Sequence, residues 1–137
     1  MPTLDSEQVA NMELSTSQPK IVLIIDDSED ICDAVRDILG EIGITVLTAA
    51  DGQQGLEVYQ ENKEKIGVVF LDVVLPDLDG AEVLELLRQD APTLPVVISS
   101  GYGDSVLADR YNDPHVSFLS KPFSFNDLVE KVEAAVQ

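Results

Sequence analysis

The chain has 137 residues, enough for one domain with a single core, and its 26 Asp and Glu against 8 Lys and Arg give a net charge of −18. So acidic a chain is repelled by nucleic-acid backbones and anionic lipid, which argues against DNA, RNA or membrane as direct partners and favours a cationic protein surface or a metal ion. A lone cysteine, Cys32, excludes an internal disulfide framework or a cysteine zinc cluster and suggests a reducing, cytoplasmic setting. No apolar run approaches the roughly 18 residues of a membrane span, and the start lacks the basic and hydrophobic regions of a signal peptide.

Residues 1–19 are rich in Ser, Thr, Gln and Asn, with apolar residues too sparse for an amphipathic helix, and read as a tail or linker ending at Pro19. From Lys20 to Gln137 the pattern is that of one domain. Ile21–Ile25 is a buried strand, and Asp26-Asp27-Ser28 opens a helix with Ile31, Val35, Ile38, Leu39 and Ile42 on its apolar face, stopped by Gly43. Thr45–Ala49 is the second strand, and Asp51-Gly52 opens a helix that carries Leu56 and Tyr59 inward. Gly67 precedes the third strand, Val68–Asp72, whose unbroken apolar run suits a strand covered on both faces. Ala81–Gln89 is the third helix, and Pro92 and Pro95 bracket the turn into the fourth strand, Val96–Ser100. Asp104–Tyr111 reads as a short fourth helix and Val116–Ser120 as the fifth strand. Ser124, with Asp127 three residues on, caps a fifth helix that runs to about Val136. Five strands alternating with five helices predict an α/β fold, a doubly wound parallel sheet with right-handed crossovers.

Parallel strands bring their carboxyl ends to one edge, where ligands bind at the point of strand reversal. Strand one ends in Asp26-Asp27, strand three in Asp72, strand four in Ser99-Ser100 and strand five in Ser120-Lys121, whereas strand two ends in Ala49-Ala50. In the order 2-1-3-4-5 the silent strand is an outer edge, and the carboxylates face each other between strands one and three. Three neighbouring carboxylates repel unless a cation joins them, and an all-oxygen set suits a hard ion such as Mg²⁺. With that charge neutralised, Asp72 can act as an oxygen nucleophile toward a phosphoryl group, with Lys121, Ser99 and the backbone near Val74 to receive its oxygens. Singly, each residue has an ordinary explanation: helix-capping acids, a strand-end hydroxyl, a surface lysine. Their joint placement on four of five strand ends is what carries the reading.

Ile24-Ile25-Asp26-Asp27, Leu71-Asp72 with Pro76 and Asp79-Gly80, Val97-Ile98-Ser99-Ser100-Gly101-Tyr102 and Phe118-Leu119-Ser120-Lys121-Pro122-Phe123 together resemble the response-regulator receiver domain of two-component signalling. The resemblance spans Lys20 to Gln137. It implies a flavodoxin-like five-stranded parallel sheet, order 2-1-3-4-5, with five helices. It implies that Asp72 accepts a phosphoryl group from a histidine kinase or histidine phosphotransfer protein, and that Asp26, Asp27, Asp72 and the Val74 carbonyl hold Mg²⁺, with Mn²⁺ as a substitute. It further implies that Lys121 pairs with the phosphoryl group, that the Ser99 hydroxyl moves onto it, that Phe118 is the switch aromatic and that the Lys121-Pro122 bond is cis. Such a domain is a phosphoacceptor regulator rather than an enzyme in the usual sense, with self-catalysed phosphotransfer and slow autodephosphorylation. The response would alter the surface near strands four and five and the fourth and fifth helices.

Serine stands at Ser99 where the family more often has threonine; the hydroxyl is kept and a methyl that restrains its rotamer is lost. The run Ser100-Gly101-Tyr102 is closer to receivers of hybrid sensor kinases than to those fused to DNA-binding outputs, and the tail fits a linker from an upstream kinase module. Two alternatives stay open. An Asp-nucleophile phosphatase of the haloacid dehalogenase type would need a second Asp where Val74 stands, and a phosphorylation-independent interaction module would not need the acid, hydroxyl and lysine set. His115 reads as a loop residue and Cys32 as a small core filler.

Overall fold

The computed structural model describes residues 21–101 and 113–136. The tail over 1–19 and the expected helix Asp104–Tyr111 lie outside the described residues. Within them the elements are β1 (Ile21–Ile25), α1 (Glu29–Glu41), β2 (Thr45–Ala49), α2 (Gly52–Asn62), β3 (Ile66–Asp72), α3 (Gly80–Asp90), β4 (Val96–Ser100), β5 (Val116–Ser120) and α4 (Phe125–Val136). The five strands form one parallel sheet in the order β2-β1-β3-β4-β5, as expected.

The alternation of side chains along each strand divides the core into two apolar layers. Leu23, Ile25, Val69, Leu71 and Ile98 face the layer that receives Tyr59 of α2 and Val83 and Leu87 of α3. Their neighbours Val22, Ile24, Val68, Phe70 and Val97 face Val35 and Leu39 of α1 and Leu128 and Val132 of α4. Both faces of the sheet are therefore covered, which is why its central strands are continuous apolar runs.

Boundaries differ from expectation in places, α3 running one residue further at each end, Gly80–Asp90 against the expected Ala81–Gln89. β3 begins at Ile66, two residues early, because Gly67 lies inside the strand instead of before it. Between β1 and β3 the pairing passes from Ile21↔Ile66 to Val22↔Val68, so Gly67 is the extra residue of a bulge and the ladder continues past it. Ile42, expected on the buried face of the first helix, is instead its C-cap and 45% exposed, since Gly43 at φ +87° turns the chain away there.

The helix starts agree with their sequence signals. Ser28 Oγ accepts from the Ile31 N–H (3.3 Å) and Ser124 Oγ from the Asp127 N–H (3.0 Å). Asp79 is the N-cap of α3 in a reciprocal capping box with Glu82. Each cap fixes where a βα loop gives way to its helix and so sets the shape of the loops at the carboxyl edge.

Candidate functional site at the carboxyl edge of the sheet

The strand ends named from sequence converge. Asp72 is the last residue of β3 and pairs in register with Ser99 of β4, whose carbonyl accepts from the Val73 N–H (3.3 Å). Asp26 follows β1; its N–H donates to the Ala49 carbonyl (3.0 Å) and its Oδ1 accepts from the Ser28 N–H (2.9 Å). Lys121 follows β5 and is held by its N–H on the Ser100 carbonyl (2.8 Å). Asp26 and Asp72 are buried at 2% and 7% exposure, Ser99 is buried, and Asp27 opens to solvent.

Lys121 Nζ joins the two buried acids, 3.0 Å from Asp26 Oδ2 and 3.4 Å from Asp72 Oδ2. Asp72 Oδ1 accepts from the Val74 N–H (3.3 Å), which brings the Val74 peptide beside the carboxylate. The electrostatics are in tension. Burial, and then repulsion from Asp26, push the Asp72 carboxyl above its ordinary range, against the opposing pull of Lys121. Burial works against the Lys121 ammonium too, but hydrogen bonding to Asp26, the charge of Asp26 and then Asp72 outweigh it and carry its pKa up.

Carboxylate oxygens of Asp26, Asp27 and Asp72 lie within 4.8 Å of one another. Octahedral Mg²⁺ holds oxygens at about 2.1 Å and so spaces its ligands roughly 3–4 Å apart, which small side-chain adjustments reach from here. An all-oxygen set, two members buried and short of positive charge, fits such an ion. The Lys121-Pro122 peptide is cis.

Other expected residues fall around this centre. Val74 exposes 61% of its surface. Phe118 is partly buried, in register with Ile98, against the layer of α2 and α3. His115 is an exposed loop residue whose N–H donates to Asp113 Oδ1 (2.8 Å). Cys32 is buried, its thiol donating to the Asp26 carbonyl (3.4 Å); burial, then Asp26 and Asp33, push its pKa up to about 11, which keeps it a protonated filler.

Sequence reasoning missed three tertiary contacts. Asp77 accepts from the N–H groups of Gly52 and Gln53 (2.8 and 2.9 Å) at the start of α2. The Tyr59 hydroxyl donates to Asp90 Oδ2 (2.7 Å), joining α2 to α3. Arg88 of α3 forks onto Asp113 through Nε (2.7 Å) and NH2 (3.3 Å), ahead of β5. Local patterning marks Asp77, Arg88, Asp90 and Asp113 only as turn or surface polar groups and Tyr59 only as an inward-facing residue, because the partners lie 24 to 31 residues apart.

The sequence model of the family described as "Response regulator receiver domain" matches residues 22–133. Sensor kinase CckA of Brucella abortus is 29% identical over 137 residues, covering 99% of this chain and 14% of that protein. Response regulator RR06 of Streptococcus pneumoniae is 36% identical over 120 residues, covering 85% of this chain and 52% of its own length. The chain thus spans about half of one curated relative and a small part of the other. Among solved structures, a response regulator receiver domain protein from Clostridium thermocellum superposes with a TM-score of 0.78 at 30% identity, covering 85% of this chain and 94% of that one. The receiver domain of NtrX from Brucella abortus gives 0.73 at 34% identity, covering 84% and 97%. With the sheet order, the edge residues and the match over residues 22–133 in agreement, the chain belongs to the response regulator receiver domains of two-component signalling.

Proposed function

We propose that this chain is a phosphorylation-dependent signalling switch in which Asp72 is the phosphoacceptor. The observation that carries the reading is Lys121 Nζ placed 3.0 Å and 3.4 Å from the carboxylates of Asp26 and Asp72, at the edge where Asp27 and Ser99 also lie. An Asp72 carboxylate oxygen attacks the phosphorus of a phosphohistidine. The phosphorus–nitrogen bond breaks, the imidazole takes up a proton and an acyl phosphate forms on Asp72. Mg²⁺, held by Asp26, Asp27, Asp72 and the Val74 carbonyl, would supply positive charge to the transferring oxygens. Lys121 neutralises a further phosphoryl oxygen and the Ser99 hydroxyl donates to another, drawing β4 toward Asp72. Slow attack by water returns the carboxylate and releases phosphate.

The phosphodonor in this reading is a histidine kinase or histidine phosphotransfer protein. An apolar groove lined by Ile31, Ala34, Ile38, Pro122 and Phe123 opens beside Lys121 and gives such a partner a place to seat. The changed surface lies around β4, β5, α4 and the expected fourth helix, which falls outside the described residues, with Phe118 as the aromatic that follows Ser99. In this reading residues 20–137 are the receiver and 1–19 a tail or linker, and the likeness to a sensor kinase supports an origin in a hybrid kinase. The net charge of −18 supports protein rather than nucleic-acid partners. Among the described residues no helix is long and apolar enough to cross a membrane, and a cytoplasmic setting follows from the proposed partners. A phosphatase reading is disfavoured by Val74, which has no proton to give a leaving group.

The test is a small phosphodonor, acetyl phosphate or phosphoramidate, with Mg²⁺, followed by intact mass. One phosphoryl group should be added, and none to Asp72→Ala. An unchanged mass in the parent, or an addition that survives Asp72→Ala, would overturn the assignment.

A further inference from the structure

The loop between β3 and α3, Val73 to Asp79, presents the Val74 peptide to Asp72 and is held at several points. Its ends are closed by the Gly80 N–H on the Val73 carbonyl (3.1 Å) and by an antiparallel bridge between Val74 and Asp79. Its middle is held by another element altogether. Asp77 Oδ1 accepts from the Gly52 N–H (2.8 Å), Oδ2 from the Gln53 N–H (2.9 Å), and Oδ1 also from its neighbour Leu78 (2.8 Å). The N-cap Asp51 takes the next donor, Gln54 N–H (2.8 Å), so the first-turn donors of α2 are divided between the helix's own cap and a carboxylate from across the loop.

Packing gives the same answer independently. A Cβ on Gly52 would meet Leu78 Cδ1 at 2.9 Å and Leu78 Cβ at 3.0 Å, so the loop rests directly on the backbone of α2. Glycine is needed here for close approach, not for an unusual φ. The α2 end is itself tied toward the acids, for Ala50 N–H donates to Gln54 Oε1 (2.8 Å) and Ala49 carbonyl accepts from Asp26 N–H (3.0 Å). The bland role for an exposed aspartate at a helix start is a cap worth a fraction of the helix's stability. What exceeds that role here is the loop it fixes, which carries both the Val74 peptide and the exit from Asp72.

We propose that Asp77 is a positioning residue: by tethering the β3–α3 loop to α2 it sets the Val74 peptide against Asp72 and so tunes cation affinity at the acid cluster. This rests on the phosphoacceptor reading above, in which Asp26, Asp27 and Asp72 take Mg²⁺. Asp77→Ala removes both acceptor oxygens, whereas Asp77→Asn keeps one and should lie between. Tyr59→Phe is the control, since it cuts another α2 bond, to Asp90 (2.7 Å), without touching the loop.

The experiment is an Mg²⁺ titration of the full chain followed by amide-resolved NMR, with urea stability measured on the same samples. Asp77→Ala should raise the Mg²⁺ dissociation constant about tenfold, the effect of losing an outer positioning contact, and should move the Val74 amide signal before any Mg²⁺ is added. Tyr59→Phe should lower stability and leave the dissociation constant unchanged. If Asp77→Ala keeps the parent's constant within about twofold, or Tyr59→Phe raises it equally, the tether is only structural and the inference fails. Should Asp77→Ala not fold, Asp77→Asn decides by the same two readouts. A parent that shows no Mg²⁺-dependent shifts at Asp26, Asp27 and Asp72 overturns the functional reading and this inference together, while a parent that binds beside an unaffected Asp77 variant overturns the inference alone.

Discussion

Replacing the proposed phosphoacceptor, Asp72→Asn, is expected to make the metal-free protein more stable. At 7% exposure the Asp72 carboxylate has lost most of its water, and it faces Asp26 across a shared ammonium. Burial and repulsion together outweigh the help of Lys121, since the carboxyl titrates above its ordinary range. Asparagine keeps an oxygen for the Val74 N–H and leaves Lys121 to its shorter contact with Asp26 (3.0 Å). Relief of one strained charge in a partly screened site is on the order of 1 kcal/mol, which at a urea slope of about 2 kcal/mol per molar moves the midpoint up by roughly 0.5 M. The sign with pH follows from linkage. A folded carboxyl that titrates above its unfolded value of 3.8 contributes stability that is fully present below that pH and lost as pH rises through the folded pKa. The variant's advantage must therefore vanish in acid and grow as pH rises through the folded pKa. Mg²⁺ should reverse the order: a hundredfold excess over the dissociation constant stabilises the parent by about 2.7 kcal/mol, and the variant, lacking one anionic ligand, gains less. Urea titrations with chelator and with Mg²⁺, at neutral and acid pH, test both halves. A variant less stable than the parent in chelator at neutral pH would show that Lys121 dominates Asp72 and would refute the reasoning.

Two further outcomes follow from neighbouring positions. Val74 and Gly101, two residues past Asp72 and Ser99, offer no side chain to orient water, so phospho-Asp72 should be long-lived and Val74→Asn should hasten its decay on the order of tenfold, read as loss of the phosphoryl mass with time; equal decay would count against it. Gly55→Ala would set a Cβ 2.5 Å from Ile25 Cδ1 and should cost about 1–3 kcal/mol by overpacking, whereas Gly40→Ala, with nothing within 4 Å on the exposed side of α1, should gain about 0.5–1 kcal/mol. The opposite order in urea midpoints would contradict this account of how α2 packs on β1.

What the sequence made legible was whatever depends on chain-local period. Apolar runs bounded by Asp, Gly and Pro mark each strand among the described residues, and parallel alternation requires their carboxyl ends to meet, which brings Asp26, Asp27, Asp72, Ser99 and Lys121 to one edge. Gly67 was misleading because a bulge and a strand boundary look alike in one dimension; only pairing with Ile21 and Val22 tells them apart. Ile42 continued the helical period past the point where Gly43 turned the backbone. Asp77 was hidden for a deeper reason. Its place in Pro76-Asp77-Leu78-Asp79-Gly80 satisfies every local turn rule, so nothing in that stretch reports that both oxygens are spent on α2.

The same division sets the edge apart from the sheet in how a response would be carried on the proposed reading. Val22, Leu23, Ile25, Val68, Val69, Leu71, Val97 and Ile98 are wholly enclosed, and a core at that density does not yield gradually to a charge placed beside it. The groups at the edge are linked instead through single hydrogen bonds: Val73 N–H to the Ser99 carbonyl, Lys121 N–H to the Ser100 carbonyl, Lys121 Nζ to both acids. On the proposed reading, a phosphoryl group on Asp72 competes for Lys121 and for the Ser99 hydroxyl at once. On that reading, relief of the tension between Asp26 and Asp72 reaches the ends of β4 and β5 through these bonds, with Ser99 and Ser100 buried at the end of β4 and Ser120 exposed at the end of β5. β5 is an edge strand of the sheet, its first three residues only partly buried, and the chain leads directly from it through Lys121 to α4. On the proposed reading, a local charge change at Asp72 is passed along this path to β5 and α4.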